Sequence, residues 1–238
     1  MLSFMDQQIS LGSVLGALSV STISLQIVNR CSNVQVIGSK QTPEQRRAGF
    51  ASTFAEIEAS RWLPLGLLAA GTLSAVVTPH APLAAFAATG GVLLRPRRAV
   101  AVALLIWLID QTAGLGLRGY PLEQLSVTWA LVMGSGTVAV ALLASQGPGL
   151  RRRSWSGHAL WSLLALVGGF LLYQSTIVLV YPVIVDGHTM GADVITGLLR
   201  QQLAWGGALM LGHGLWMQSK ITQTASISPA KSPGEPGL

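Results

Sequence analysis

Between Trp62 and Met217 the chain passes through six stretches in which apolar residues follow one another almost without charge. Segment A runs from Trp62 to Val77, B from Pro82 to Leu94, C from Ala99 to Leu117, D from Leu125 to Ser145, E from Ala159 to Tyr181 and F from Val194 to Met217. An α-helix needs about 20 apolar residues to cross a hydrocarbon core of about 30 Å. A membrane β-barrel would instead show short segments of alternating polarity, and that pattern is absent. The expected fold is therefore all-α, a polytopic membrane protein with a six-transmembrane-helix bundle. Segment B is the misfit. Its 13 residues make a helix of only about 20 Å at 1.5 Å per residue. Either B is a short, buried helix, or A and B form a re-entrant hairpin.

The flanks are more polar. Gln7 to Asn29 carries no charge, but five serines and a threonine break up its apolar residues. Leu11, Val14, Leu15 and Leu18 keep helical spacing there. An interfacial helix, a weak extra span and a leader all fit this stretch, and Asp6 at the start argues against a signal peptide with a basic head. Residues 41–61 read as a short polar helix at the membrane surface, with Thr42 as N-cap, Pro43 in the first helical position and Gln45 at the capping-box position. The expected organisation is an amphipathic or irregular cytoplasmic segment (1–61), a transmembrane domain (62–217) and a Ser/Pro/Gly-rich disordered tail (218–238).

Charge placement gives the expected orientation. Arg46, Arg47 and Arg61 precede A; Arg95, Arg97 and Arg98 separate B from C; Arg151, Arg152 and Arg153 separate D from E; Lys220 follows F. The alternate loops hold no basic residue except Arg118. Basic residues bias short loops to the cytoplasm, so six spans with both termini inside satisfy every loop, as in a bacterial-type inner (plasma) membrane. Trp62, Trp155, Trp161 and Trp216 fall at the inner boundary and Tyr120 and Tyr181 at the outer one, as interfacial belts do.

Composition agrees. About a tenth of the 238 residues are charged, against about a quarter in soluble domains, and the mean hydropathy is +0.54. The net charge of +6 lies in loop clusters that set topology or touch anionic lipid; nucleic acid is not an expected partner. The single cysteine, Cys31, forms no internal disulfide and belongs to no metal motif.

Charged side chains within a span cost roughly 2.5–3.5 kcal/mol on insertion scales and are functional candidates by default. Asp110 lies in the outer half of C, followed by Gln111 and Thr112, and Arg200 lies near the outer end of F, followed by Gln201 and Gln202. One reading makes Asp110 and Arg200 a buried pair that fixes helix register. In the other they line a polar cavity open to the outside, with Gln201, His80 of the A/B turn and His188 of the E/F loop at its mouth. Such a mouth suits a cation, a metal or a polar small molecule. The histidine spacing matches no zinc motif, and which metal or cofactor is bound, if any, is left open.

His158 and His213 near the inner face and His80 and His188 near the outer one give the layout of a two-haem electron carrier. Axial ligands in such bundles sit within helices, whereas three of these four lie in loops or at helix ends, which disfavours haem. No GxSxG elbow, P-loop, HExxH or Rossmann fingerprint is present. An intramembrane protease would need paired groups deep in the spans, and Asp110 and His213 lie at opposite ends. An enzyme is not expected. Small residues recur four apart, at Ala70/Ser74 and Gly71/Ala75 on A and at Ala204/Ala208/Gly212 on F. This spacing serves close helix packing, internally or with a partner.

The stretch from Thr78 to Gly116, TPHAPLAAFAATGGVLLRPRRAVAVALLIWLIDQTAGLG, resembles the small six-helix membrane proteins related to S-components of energy-coupling-factor transporters. A proline-containing turn (Pro79, Pro82) leads through an Ala-rich short helix to Gly90 and Gly91, then to the Arg95 cluster and a helix carrying Asp110. The resemblance spans about 40 residues. It implies capture of a vitamin or metal from outside and docking on a membrane coupling subunit with cytoplasmic ATPases, through the small residues of segment A. The first expectation is thus a substrate-capturing transporter subunit, and the second a non-catalytic structural or assembly subunit of a larger membrane complex. The lipid bilayer, and other membrane subunits, are the expected partners in either case.

Overall fold

The apolar runs fold as helices. The computed structural model describes residues 42–78, 81–147, 149, 154–184 and 191–227. Among these there is no strand and there are seven α-helices: α1 (Pro43–Ala59), α2 (Trp62–Val77), α3 (Leu83–Leu93), α4 (Pro96–Gly116), α5 (Gln124–Ala144), α6 (Trp155–Ile184) and α7 (Ala192–Ile227). Segment A coincides with α2, and B is α3 with one residue fewer at each end. Helix α7 continues ten residues beyond Met217, into the stretch expected to begin the tail.

The bundle is organised around its shortest helix. Every residue of α3 is buried, and α4, α5, α6 and α7 pack against it, with α2 touching it more lightly. Its sequence explains the position. Ala84, Ala85, Ala87, Ala88, Gly90 and Gly91 let neighbouring backbones approach closely, which is how helices gain packing energy in lipid. At Gly91 a Cβ would stand 2.5 Å from the Ala144 Cβ and 2.6 Å from the Ala141 carbonyl oxygen, so α3 and α5 meet backbone to backbone. At Gly71 a Cβ would lie 2.7 Å from Ile106. Gly71, Ser74 and Ala75 are buried and α2 packs on α4, so this line of small residues is used inside the bundle and is closed to the docking role that the S-component resemblance gave it.

Large aliphatic side chains take the opposite position. Leu73, Val76 and Val77 on α2, Leu131 on α5, Leu163, Leu171 and Leu179 on α6 and Leu211 on α7 are all exposed. An interior of alanine and glycine beneath an exterior of leucine suits a lipid surround and is costly in water. Helices α4, α5 and α6 are each long and apolar enough to cross a membrane. A fourth crossing is reached if α1 and α2, bent by 63° at their junction, act as one. At 11 residues α3 is about 16 Å long, too short to cross alone.

Helix α1 departs from the polar surface helix expected at 41–61. Phe50, Phe54 and Ile57 recur at helical spacing and are buried together with Glu58, and the helix packs on α7. The charges of this stretch hide an apolar face on the sequence level. On the exposed face of this helix, Glu56 pairs with Lys220 of α7 at 3.3 Å.

Candidate functional site

The polar groups of the bundle gather where α2 ends and α3 begins. Thr78 stops α2 because the residue before a proline, here Pro79, is driven out of helical geometry; its φ and ψ are −107° and 146°. Its hydroxyl turns back to donate to the Ser74 carbonyl at 2.6 Å. Helix α3 restarts after Pro82, whose side chain offers no cap. Two helix ends thus face a buried region, one with unpaired carbonyls and partial negative charge, the other with partial positive charge and N–H groups of Leu83 and Ala85 whose only backbone acceptors are the nearby Ala81 and Pro82 carbonyls.

Side chains from elsewhere in the chain satisfy both. The Arg118 guanidinium donates to the Ala75 carbonyl and, at 2.9 Å, to the Thr78 carbonyl, closing the end of α2. Asp110 of α4 accepts from the Ala81 N–H at 3.3 Å, beside the start of α3. Gln202 of α7 accepts from the Ala85 N–H at 2.7 Å through Oε1, supplying from a distant helix the third-position cap that Pro82 lacks. Asp110 and Arg118 are themselves paired at 3.3 Å, and Gln111 donates to the second Asp110 oxygen at 3.3 Å. The cation sits at the negative helix end and the anion at the positive one, so the ion pair and the helix dipoles reinforce each other. Asp110 is 4 % exposed, whereas the Arg118 side chain, at 16 %, is the more accessible member.

The end of α4 explains how Arg118 reaches back. The Arg118 N–H bonds the Ala113 carbonyl, and the Tyr120 N–H the Gly114 carbonyl at 3.1 Å. Gly119 between them takes the left-handed φ of 67° that this reversal requires. Arg118 is therefore folded back onto its own helix, reaching Asp110 two turns earlier.

A second polar group lies near. The Tyr173 hydroxyl of α6 is hydrogen-bonded to Thr137 of α5 and lies within electrostatic range of Asp110. The adjacent Gln174 is buried and borders a groove of about 330 Å³ between α6 and α7, lined otherwise by Phe170, Leu171, Ser175, Val178, Leu179 and Ile195.

Of the residues singled out in the sequence, Asp110 is at the centre of this cluster. Its ion-pair partner is Arg118; Arg200 is exposed on α7, and Gln201 is half-buried beside the Gln202 that caps α3. His80 and His188 lie outside the described residues. Arg118 and Gln202 are the participants that sequence reasoning passed over. Arg118 carried a signal, being the one basic residue in the loops expected to lie outside. Gln202 carried none beyond its place after Arg200 and Gln201. No group of three or more His, Cys, Asp or Glu side chains able to hold a metal occurs among the described residues.

No family model, curated protein or solved structure matches the chain. The apolar helices fit an integral membrane protein.

Proposed function

We propose that the chain is the substrate-capturing subunit of a small-molecule or metal-ion transporter, a six-span bundle of the inner membrane with both ends cytoplasmic. The observation that carries this reading is the buried turn between α2 and α3, whose two flanks are held by Arg118 and Asp110. Interrupted backbone is tolerated at membrane depth where protein or a cavity surrounds it, and in transporters half-helix ends bind the polar parts of substrate and ions. A charged ligand entering here competes for Arg118 or Asp110 and loosens the junction, coupling occupancy to the position of α3. His80 lies in sequence between Thr78 and Ala81, the two residues held by the pair, and His188 lies between α6 and α7; with Arg200 and Gln201 they form the mouth in this reading. The S-component resemblance points the same way.

The test is native mass spectrometry of the protein taken from its own membranes in mild detergent. A bound small molecule or metal ion, or ATPase subunits at fixed stoichiometry, is expected, and Asp110→Asn should lose the ligand while the protein still inserts. A ligand-free protein, or retention of the ligand by that variant, contradicts the reading.

A second reading, an assembly subunit of a larger membrane complex, is favoured by one observation. Ala204, Ala208 and Gly212, four apart on α7, are exposed, a stripe on which another helix could pack closely. Ala208→Leu would then release a stoichiometric membrane partner and leave ligand content unchanged.

A further inference from the structure

At the other end of α6, 15 residues before Tyr173 and so about 22 Å away along the helix, two imidazoles meet inside the bundle. His158 of α6 and His213 of α7 are each 5 % exposed. Their ring centroids are 5.3 Å apart, with planes inclined by 41°. Phe54 of α1 stands edge-on to both, at 5.5 Å from His158 and 6.1 Å from His213, and Phe50 lies 6.2 Å from His158. The Nδ1 atom of His213 has no hydrogen-bond partner among the described residues. Buried polar atoms are nearly always satisfied, so this nitrogen is a donor or acceptor without an assigned task. One turn further along α7, on the same face, Met217 is fully buried.

We propose that His158, His213 and Met217 form a binding site for a single soft monovalent metal ion, Cu(I). Two imidazoles and a thioether are uncharged, soft to borderline ligands, the set that selects Cu(I) among biological metals. Zinc would require a fourth ligand, ordinarily an anionic one. The surrounding aromatic rings exclude water from the two imidazoles. All three ligands belong to helices, and α1 lays Phe50 and Phe54 against the imidazoles, so the two histidines are held in place by packing. It is independent of the α2/α3 junction, and neither stands or falls with the other.

The experiment uses the full chain in detergent under ascorbate, with Cu(I) titrated in competition with bicinchoninate and the loaded protein examined by X-ray absorption at the copper edge. One Cu(I) per chain with mixed nitrogen and sulfur coordination is expected. His213→Ala should weaken binding at least tenfold. Met217→Leu, nearly equal in volume and so gentle to packing, should remove the sulfur scatter and weaken binding severalfold with the thermal transition of the metal-free protein unchanged; this variant keeps the test alive if His213→Ala fails to fold. Failure to retain Cu(I) against the competitor, equal retention by both variants, or Zn(II) binding as tight as Cu(I) would each overturn the assignment.

Discussion

Gly91→Leu is expected to prevent assembly of a monodisperse bundle. The position has no space for any side chain, since even a Cβ would stand 2.5 Å from Ala144 and 2.6 Å from the backbone oxygen of Ala141. A flexible neighbour could turn aside, but a carbonyl of α5 cannot move without shifting its helix. Forcing atoms into a packed core costs about 1–3 kcal/mol where side chains can adjust, and here the obstacle is backbone on the element that centres the fold. Gly91→Ala, the smaller insult, should lower the thermal midpoint by roughly 10 °C, the shift that about 3 kcal/mol produces in a protein of this size. The matched control is Gly168→Ala, where an added Cβ meets nothing within 4 Å. Detergent-solubilised thermal scans with size-exclusion profiles measure both; equal midpoints for the two alanine variants would remove α3 from the centre of the account.

The second large effect belongs to the ion pair. Replacing either member leaves the other charge buried, and breaking a buried pair costs about 3–5 kcal/mol. Arg118→Met should be the more damaging change, because Arg118 also closes the Ala75 and Thr78 carbonyls, whereas Asp110→Asn keeps an acceptor for the Ala81 N–H. In the double variant neither charge is stranded, so its loss of stability should fall short of the sum of the singles by about 1–3 kcal/mol. Additive losses would mean that the two side chains act separately.

These expectations rest on features that the sequence exposes unevenly. Helix existence was legible because uninterrupted apolar runs leave few alternatives, and the stop at Val77 was legible from Pro79. The shortness of B was legible too; its burial on every side was foreshadowed by alanines and glycines that offer close approach and little greasy surface. Helix α1 was misread as polar because Arg46, Arg47, Glu44 and Glu56 dominate its composition while Phe50, Phe54 and Ile57 hold the spacing of a buried face. The partner of Asp110 was open to error for a different reason. Arg200 lies within an apolar run and draws attention, whereas Arg118 lies beyond the end of α4 and reaches Asp110 only because Gly119 reverses the chain. Tertiary capping of α3 by Gln202 joins residues 117 apart in sequence, a pairing that no local pattern encodes.

The central claim is that a short helix, buried on all sides and capped by side chains from other helices, organises this membrane bundle. Hydrogen–deuterium exchange of the protein in lipid nanodiscs, followed by mass spectrometry, tests it most directly. Peptides covering Leu83–Leu93 should be among the slowest to exchange, with Arg118→Met accelerating exchange at the Ala81–Ala85 end and leaving the Gly90–Leu93 end protected. Rapid exchange throughout α3 in the unaltered protein, at the rate of an exposed or re-entrant loop, would contradict it.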